Sequence, residues 1–406
     1  MNKLIVFSWL YLLSLPLCAQ VLTVDELTCQ YLVNPKGVEA QNPSLSWKLK
    51  STQQNVLQTA YQILVAENVA DLNKNLGSTW DSEKITSRQS IQVQFKGSSL
   101  RAGKTYFWKV KIWDNKNNVV WSSVSHWQMG LLTATDWKGA KWIAYEKLAD
   151  SNVNTLPTDG KKDKFNRNNI LPIFRKEFTV ARTVKKATLF IAGLGHFEAS
   201  LNGQKIGDHF IDAGWTKYDK QALYVTFDLT HQLKSGKNAV GVQLGNGFYY
   251  IPPVKGRYRK LKSAFGYPKM ICKLVIEYQD GKTVVVNSDQ SWRTAPSPII
   301  FSSIYGGEDY DANLEQKGWN TVGFNAKSWK EPLWVDGPQL VSQKEEPLKV
   351  FENFSPKTIN SLPNGDLVYD LGQNASGIIE VKVQGKKGDT IRITPAESLK
   401  SDGNVN

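Results

Sequence analysis

The amino-acid sequence predicts an all-β protein built from several sandwich domains in series. Segments in which apolar and polar residues alternate recur at short spacing along the whole chain, as in half-buried strands. No convincing amphipathic helix interrupts them, and 406 residues are too many for a single sandwich. We therefore predict a fibronectin type III-like sandwich, then a larger jelly-roll-like β-sandwich, then an incomplete third β-sandwich.

The amino terminus has the pattern of a secretory signal. Lys3 precedes an apolar run over residues 4–17, and the small residue Ala19 follows as a cleavage site, which predicts a signal peptide over residues 1–19. The run is shorter than the ~20 apolar residues of a spanning helix, which argues against a transmembrane protein. Lipoprotein processing at Cys18 is the alternative, but the bulky Leu17 disfavours it. The mature chain is expected to be exported, to the periplasm or the extracellular space.

Cysteine usage excludes two kinds of protein. After cleavage, Cys29 and Cys272 remain of the 3 cysteines, too few for a disulfide-dense scaffold or a cysteine-based metal site. Cys272 lies in an apolar strand-like segment, so we interpret it as a small core residue. A bridge between the two is not expected, because they belong to different predicted domains.

The first predicted domain covers residues 20–132. Residues 58–66 and 104–114 both alternate, and one face of the second segment holds a row of large apolar side chains at period two: Tyr106, Trp108, Val110 and Ile112. This pattern is typical of a fibronectin type III or immunoglobulin-like sandwich, with the aromatic face in the core between the sheets. We expect a structural role for this domain.

The second predicted domain covers residues 133–338. Its polar stretch over residues 150–170 has no periodicity and predicts an exposed, mobile loop. Phe197 to Leu201 alternates and is followed at once by Asn202-Gly203, which predicts a two-residue hairpin turn because both residues tolerate positive φ. Further strands are predicted over residues 173–180, 224–229, 239–244 and 270–276.

A loop of glycine, asparagine and aromatic residues follows the strand at residues 239–244 and predicts a decorated rim. The candidate ligand-binding residues are Asn246, Phe248, Tyr249 and Tyr250 of this loop, together with Trp215 from an earlier loop. A basic cluster over residues 255–262 adds Arg257 and Arg259, and with the formal net charge of +13 it favours an acidic ligand. Nucleic acid is the wrong acidic partner for an exported protein. The alternative is a solvated basic loop beside a tight turn at Asn246.

Three carboxylates crowd a glycine-rich loop at Glu308, Asp309 and Asp311. Glycoside hydrolysis requires two flanking carboxylates, but we do not assign these residues as catalytic. Clustered oxygen ligands suit calcium, although the spacing matches no defined calcium loop. A loop that locks the domain interface is the favoured interpretation.

The third predicted module covers residues 339–406, with its first strand after Glu346-Pro347. Successive strands are predicted at residues 349–352, 367–377, 378–383 and 390–394.

These segments together resemble the sandwich that precedes the catalytic barrel in bacterial α-L-rhamnosidases of glycoside hydrolase family 78. The motifs that carry the resemblance occur in the family's order: Leu194-Gly195 to Asn202-Gly203, Gly214-Trp215-Thr216, Leu244 to Tyr249, Tyr305 to Ala312, and Asp370 to Asn374. The last of these implies that the third module is the start of the family's concanavalin-like sandwich.

The resemblance implies a parent activity, inverting hydrolysis of terminal α-L-rhamnosyl residues, carried out by glutamates on a later helical (α/α)6 barrel. The sequence has no series of apolar stripes with a period of about 3.6 residues from which such a barrel could be built. No catalytic residue is therefore assigned. We interpret the chain as the front of the enzyme, a natural truncation or a fragment, inactive without the missing catalytic domain, with rhamnose-containing plant polysaccharide, including acidic pectin, as ligand.

Two other hypotheses remain. A stand-alone secreted carbohydrate-binding protein would use the rim of the second domain, and the resemblance implies Glu198 and Asn246 as candidate calcium ligands, since some family sandwiches bind rhamnose through calcium. A purely structural or adhesive protein would instead bury the rim aromatics, Tyr249 and Tyr250 in particular.

Overall fold

The computed structural model describes residues 22–159, 169–401 and 404–405. In these ranges the one α-helix is Val69–Asn73, and 3₁₀ helices occupy Ala134–Trp137, Asp150–Asn152 and Ala312–Leu314. All other regular elements there are strands, so the predicted all-β class is confirmed. The predicted signal peptide lies outside the described residues. No helix within the described ranges is long and apolar enough to cross a membrane.

The chain forms two compact units. The first runs to Ile206 and resumes from Ile211 to Glu346, and the second comprises Gly207–Phe210 with the residues from Pro347 onward. The first unit contains the first predicted domain, the second except for Gly207–Phe210, and residues 339–346 of the predicted third module.

The first domain is a sandwich of two sheets. Among the described residues one sheet has the strand order β1-β3-β6, and the other has the order β2-β9-β7-β4-β5 with β8 against β7. The strands are β1 Leu22–Cys29, β2 Lys36–Val38, β3 Ser44–Ser51, β4 Gln58–Ala66, β5 Trp80–Asp81, β6 Val93–Gln94, β7 Thr105–Asp114, β8 Val119–Trp121 and β9 Ser125–Met129.

The period-two pattern of β7 is confirmed by its burial. Tyr106, Trp108, Val110 and Ile112 are each at most 1% exposed and share one core with residues of the facing sheet. Trp47 of β3 lies across this core, edge-on to Tyr61 of β4 at 5.3 Å. Alternation therefore determined which face of β7 entered the core.

The second domain contains larger sheets. In the described residues a seven-stranded sheet has the order β25-β10-β20-β13-β17-β26 with β21 against β20, and a five-stranded sheet has the order β15-β14-β18-β12-β22. The strands from this region are β10 Ile143–Ala144, β11 Asn154–Asp159, β12 Pro172–Val180, β13 Val184–Leu194, β14 Phe197–Leu201, β15 Gln204–Lys205, β16 His209–Phe210, β17 Gln221–Asp228, β18 Gly236–Leu244, β19 Leu261–Ala264, β20 Lys269–Tyr278, β21 Thr283–Asn287, β22 Arg293–Pro296, β23 Ile299–Ser303, β24 Gly307–Tyr310, β25 Leu333–Trp334 and β26 Gln339–Ser342.

The hairpin predicted at Asn202-Gly203 is present. Strands β14 and β15 pair with Leu201 opposite Gln204, and Asn202 and Gly203 have φ of 53° and 84°. Both central residues are thus in the left-handed region that a two-residue turn of this type requires.

Cys272 of β20 is a buried free thiol, as predicted, and burial raises its pKa to about 12.

The polar stretch before β12 contains a strand, which corrects the prediction of a loop over residues 150–170. Strand β11 pairs antiparallel with β19, with Asn154 opposite Ala264 and Thr158 opposite Lys262. The pairing comes from backbone hydrogen bonds to a distant segment, which a polar, non-periodic sequence does not reveal. Residues 160–168 of the predicted loop lie outside the described residues.

Polar contacts join the first and second domains inside the first unit. The Gln128 amide donates to the hydroxyl of Thr188 at 2.9 Å, and Lys104 forms an ion pair with Glu277 at 3.3 Å. Glu39, just after β2, accepts a hydrogen bond from the backbone N–H of Ser342 at 2.9 Å.

The second unit has less regular structure than predicted. Strand β16 pairs with β27 Leu348–Lys349, and β28 Thr358–Ser361 forms a hairpin with β29 Leu367–Asp370. Residues 378–383 and 390–394 have no regular secondary structure, which corrects the prediction of strands there. Alternation alone does not make a strand, because a strand needs a hydrogen-bonded neighbour.

Candidate functional site

A cleft of about 340 Å³ lies at one end of the second domain, beside the loop that follows β18. Its walls come from four segments: strand β11, the loop before β17, the loop after β18, and strand β19 with the residue that follows it. The lining residues are Thr155, Trp215, Thr216, Lys217, Phe248, Ile251, Leu261, Ser263 and Phe265. Four segments distant in sequence therefore meet at this end of the sandwich.

The backbone after β18 turns sharply, and this turn positions the aromatic residues. The N–H groups of Tyr249 and Tyr250 both point at the carbonyl of Asn246, at 3.2 and 3.3 Å. Gly247 has φ of +51°, and a Cβ there would lie 2.7 Å from the His196 ring. Glycine is needed at this position because the backbone passes so close to that ring.

Trp215 and Phe248 form the exposed aromatic face of the cleft. Their rings stack at 4.3 Å between centroids with an interplanar angle of 9°, and Trp215 remains 57% exposed. The hydroxyl of Ser263 donates to the carbonyl of Phe248 at 2.7 Å, which holds this part of the loop against β19. The structure thus brings together two predicted site residues that are separated in sequence.

Tyr249 and Tyr250 point the other way. Their exposed fractions are 3% and 2%, so neither ring offers a face to solvent. Tyr249 packs against Phe265 and Tyr218 with centroids 6.0 and 5.5 Å away. This is a correction to the predicted stacking face: both tyrosines lie beneath the rim, as the purely structural hypothesis expects of them, and of the three consecutive aromatic residues Phe248 alone lines the cleft.

Asn246 is fully buried and holds the turn. Its amide donates to the Asn169 side chain at 3.0 Å and to the carbonyl of Ser302 at 2.8 Å, and its oxygen accepts from Asn169 at 2.8 Å. Glu198, on β14, forms an ion pair with Lys205 at 2.9 Å. The two residues predicted as calcium ligands therefore have separate protein partners.

Among the described residues, no group of three or more His, Cys, Asp or Glu side chains is arranged so that it could hold a metal ion. The half-buried His196 is close to the turn, and desolvation lowers its pKa, which favours the neutral imidazole. Its Nδ1 lies 3.3 Å from the carbonyl of Asp212. Calcium binding stays a prediction from the resemblance.

Part of the basic cluster is held by contacts with other residues of the protein. Arg257 forms an ion pair with Asp309, donates to the carbonyl of Gly306 at 3.3 Å and lies over the ring of Phe301 at 4.6 Å. Burial lowers the pKa of Arg259. Arg257 thus fastens the basic loop to the β23–β24 hairpin and keeps its charge near the cleft.

The carboxylates of that hairpin do not form a pair across the cleft. Asp309 pairs with Arg257, and Asp311 caps a 3₁₀ helix by accepting from the N–H of Asn313 at 2.9 Å. Burial raises the pKa of Glu308. The cleft lining itself contains no carboxylate residue among those the structure describes.

Several residues that line the cleft are not predicted as site residues from the sequence. Leu261, Ser263 and Phe265 line the cleft at period two, but the predicted basic cluster over residues 255–262 includes Leu261 and ends before the other two, so the alternation is hidden by its lysines. Thr155 was missed because its strand carries no apolar pattern.

Three family models match the chain. Residues 24–133 match a Rha78A-like N-terminal immunoglobulin domain, residues 182–352 match an α-L-rhamnosidase N-terminal domain, and residues 360–406 match a bacterial α-L-rhamnosidase concanavalin-like domain.

Curated proteins and solved structures agree with these matches. An α-L-rhamnosidase of Formosa agariphila is 33% identical over 396 residues, with 94% of this chain and 41% of the relative covered. One of Alteromonas sp. is 32% identical, with 90% and 39% covered. The α-L-rhamnosidase structure from Dictyoglumus thermophilum has a TM-score of 0.80 at 36% identity, covering 95% of this chain and 42% of that one. The chain spans about two fifths of the length of these relatives.

Proposed function

We infer that this chain, which belongs to the α-L-rhamnosidases of glycoside hydrolase family 78 and carries their N-terminal domains, is the accessory β-sandwich region of a secreted enzyme. The activity proposed for the whole enzyme is the release of terminal α-L-rhamnose from plant glycans with inversion. In this proposal the sandwiches carry no chemistry and the acid and base are on a separate helical domain.

The observation that supports this division is the composition of the cleft. An inverting glycosidase holds a carboxylic acid and a carboxylate roughly 6.5–9.5 Å apart on opposite sides of the sugar. The described lining has hydroxyl, aromatic and lysine side chains but no carboxyl group. The pair required to protonate the leaving oxygen and to activate water is thus missing from the described lining of this cleft.

We expect the purified chain to show no turnover of an aryl α-L-rhamnoside above a protein-free blank. The measurement is release of the aryl alcohol over many hours, with an active α-L-rhamnosidase as positive control. The Glu308→Gln variant should behave identically to the parent. Hydrolysis by the parent that disappears in Glu308→Gln would place catalysis in this chain and reject the proposed division.

A second candidate function is glycan binding at the cleft, supported by the exposed Trp215 stacked on Phe248. Aromatic rings at such rims stack on the apolar faces of sugars and contribute about 1 kcal/mol each beyond area burial. The basic loop and the formal net charge of +13 favour an acidic glycan, such as rhamnose-containing pectin.

We expect Trp215→Ala to weaken binding of rhamnogalacturonan-type pectin about fivefold or more, as measured by isothermal titration. Trp334→Ala is the matched control, because Trp334 is 56% exposed against 57% for Trp215 and does not line the cleft. Raising salt from about 0.05 to 0.5 M should remove the preference for pectin over neutral rhamnosides, because the Debye length shrinks. Equal binding by the parent and both variants would contradict glycan binding at the cleft.

A further inference from the structure

The exposed rings of the cleft continue into a longer series of aromatic contacts. Phe248 meets Tyr305 edge-on at 6.0 Å, and Tyr305 meets Tyr258 edge-on at 6.2 Å. We call Trp215, Phe248, Tyr305 and Tyr258 the aromatic track. Its two ends are its most exposed members, with Trp215 at 57% and Tyr258 at 69%.

Two loops that are distant in sequence hold the track in place. Tyr305 lies at the tip of the β23–β24 hairpin, where the backbone N–H groups of Tyr305 and Gly306 point at the Ser303 hydroxyl at 3.4 and 3.2 Å. Arg257, next to Tyr258, is tied to this hairpin through Gly306 and Asp309. The track is therefore positioned by hydrogen bonds and an ion pair as well as by ring packing.

The polar groups along the track suit a sugar chain. In the ranges that the structure describes, the hydroxyls of Tyr258 and Tyr305 and the ammonium of Lys260 contact no protein hydrogen-bond partner. Such groups can bind sugar hydroxyls and carboxylates, while the ring faces contact the apolar faces of the sugars. The cationic side chains near Tyr258 place positive charge at the end of the track away from Trp215.

We propose that the aromatic track binds an internal stretch of an acidic oligosaccharide several sugar residues long, with the chain extending from Trp215 to Tyr258. The proposal rests on glycan binding at the cleft and adds the length and charge of the ligand. A single sugar can contact one end of the track, whereas a longer chain contacts both. Affinity should therefore rise with chain length.

The test is isothermal titration of the whole chain with a disaccharide, a tetrasaccharide and a hexasaccharide of alternating galacturonic acid and rhamnose. The parent should bind the hexasaccharide about tenfold more tightly than the disaccharide, because the longer chain contacts further rings of the track and part of that gain is lost to ordering the ligand. Tyr258→Ala should weaken hexasaccharide binding about fivefold and disaccharide binding less than twofold. Trp215→Ala should weaken both.

Matched variants separate the track from general effects. Tyr31 of the first domain is 68% exposed, so Tyr31→Ala removes an equally exposed tyrosine away from the cleft and should leave binding unchanged. Tyr258→Phe keeps the ring and should retain more than half of the affinity. If Tyr258→Ala lowers the melting temperature, Lys260→Ala provides a second test at the same end and should weaken hexasaccharide binding at low salt.

The outcomes distinguish this inference from the function on which it rests. Equal affinity for all three lengths, with Trp215→Ala weakening each of them, would keep glycan binding at the cleft and overturn the track. Absence of binding to any of the oligosaccharides would overturn both. A hexasaccharide preference that survives in Tyr258→Ala and in Lys260→Ala would also overturn the track.

Discussion

Replacing Asn246 by alanine is expected to lower the free energy of unfolding of the second domain by about 3 kcal/mol. The side chain is fully buried and makes three hydrogen bonds, two with Asn169 and one with the carbonyl of Ser302. Alanine removes these bonds and leaves the buried Asn169 amide and the carbonyl without those partners, which costs more than the bonds themselves contribute. Urea denaturation followed by tryptophan fluorescence measures the loss.

This substitution also tests the calcium prediction. Glu198→Gln, the matched change at the other predicted ligand, should alter stability by less than about 0.5 kcal/mol because Glu198 pairs with Lys205 at an exposed site. We expect the parent and both variants to respond alike when calcium is replaced by a chelator, as measured by the melting temperature. A calcium-dependent stabilisation in the parent that both variants lose would restore Glu198 and Asn246 as ligands and contradict the structural role.

The second large effect is expected at the contact between the first and second domains. The Tyr224 hydroxyl accepts the N–H of Leu131 at 2.8 Å and lies 3.2 Å from Glu39, and its ring is buried edge-on to Trp137. Tyr224→Phe keeps the ring but leaves the Leu131 N–H and the Glu39 carboxylate without this partner, so we expect a loss of about 2 kcal/mol. Urea denaturation of the whole first unit measures it, and unchanged stability would contradict the role of the hydroxyl.

Glu39 makes the stability of this contact depend on pH. Burial raises the pKa of Glu39 above its usual 4.5, so the folded state favours the neutral acid. The folded state then binds more protons than the unfolded state, and stability falls as pH rises from 4.5 through the folded pKa.

We therefore expect Glu39→Gln to stabilise the unit near pH 7 and to give no gain at about pH 4, where the parent carboxyl is already neutral. The amide keeps an oxygen to accept the N–H of Ser342. Glu83→Gln, at an exposed position of the first domain, is the control and should give no pH-dependent gain. A loss of stability in Glu39→Gln near pH 7 would mean that the carboxylate charge itself stabilises the contact.

Local sequence determined the elements whose chemistry is local. The alternation in β7 assigned Tyr106 and Trp108 to the core, and Asn202-Gly203 produced a hairpin turn because both residues adopt positive φ readily. The motifs around Trp215 and Asn246 identified the family without reference to any contact.

Tertiary structure alone decided the composition of the cleft. The polar residues 154–159 became a strand because β19 pairs with them, whereas residues 378–383, which have an alternating apolar pattern, formed none. Phe248 faces the cleft while Tyr249 is buried, although both are aromatic neighbours in one loop. The period of the apolar residues indicates which side chains can share one face of a strand. Which strand pairs with it, and which face is buried, depends on the distant segment that packs against it, and only the folded chain determines that segment.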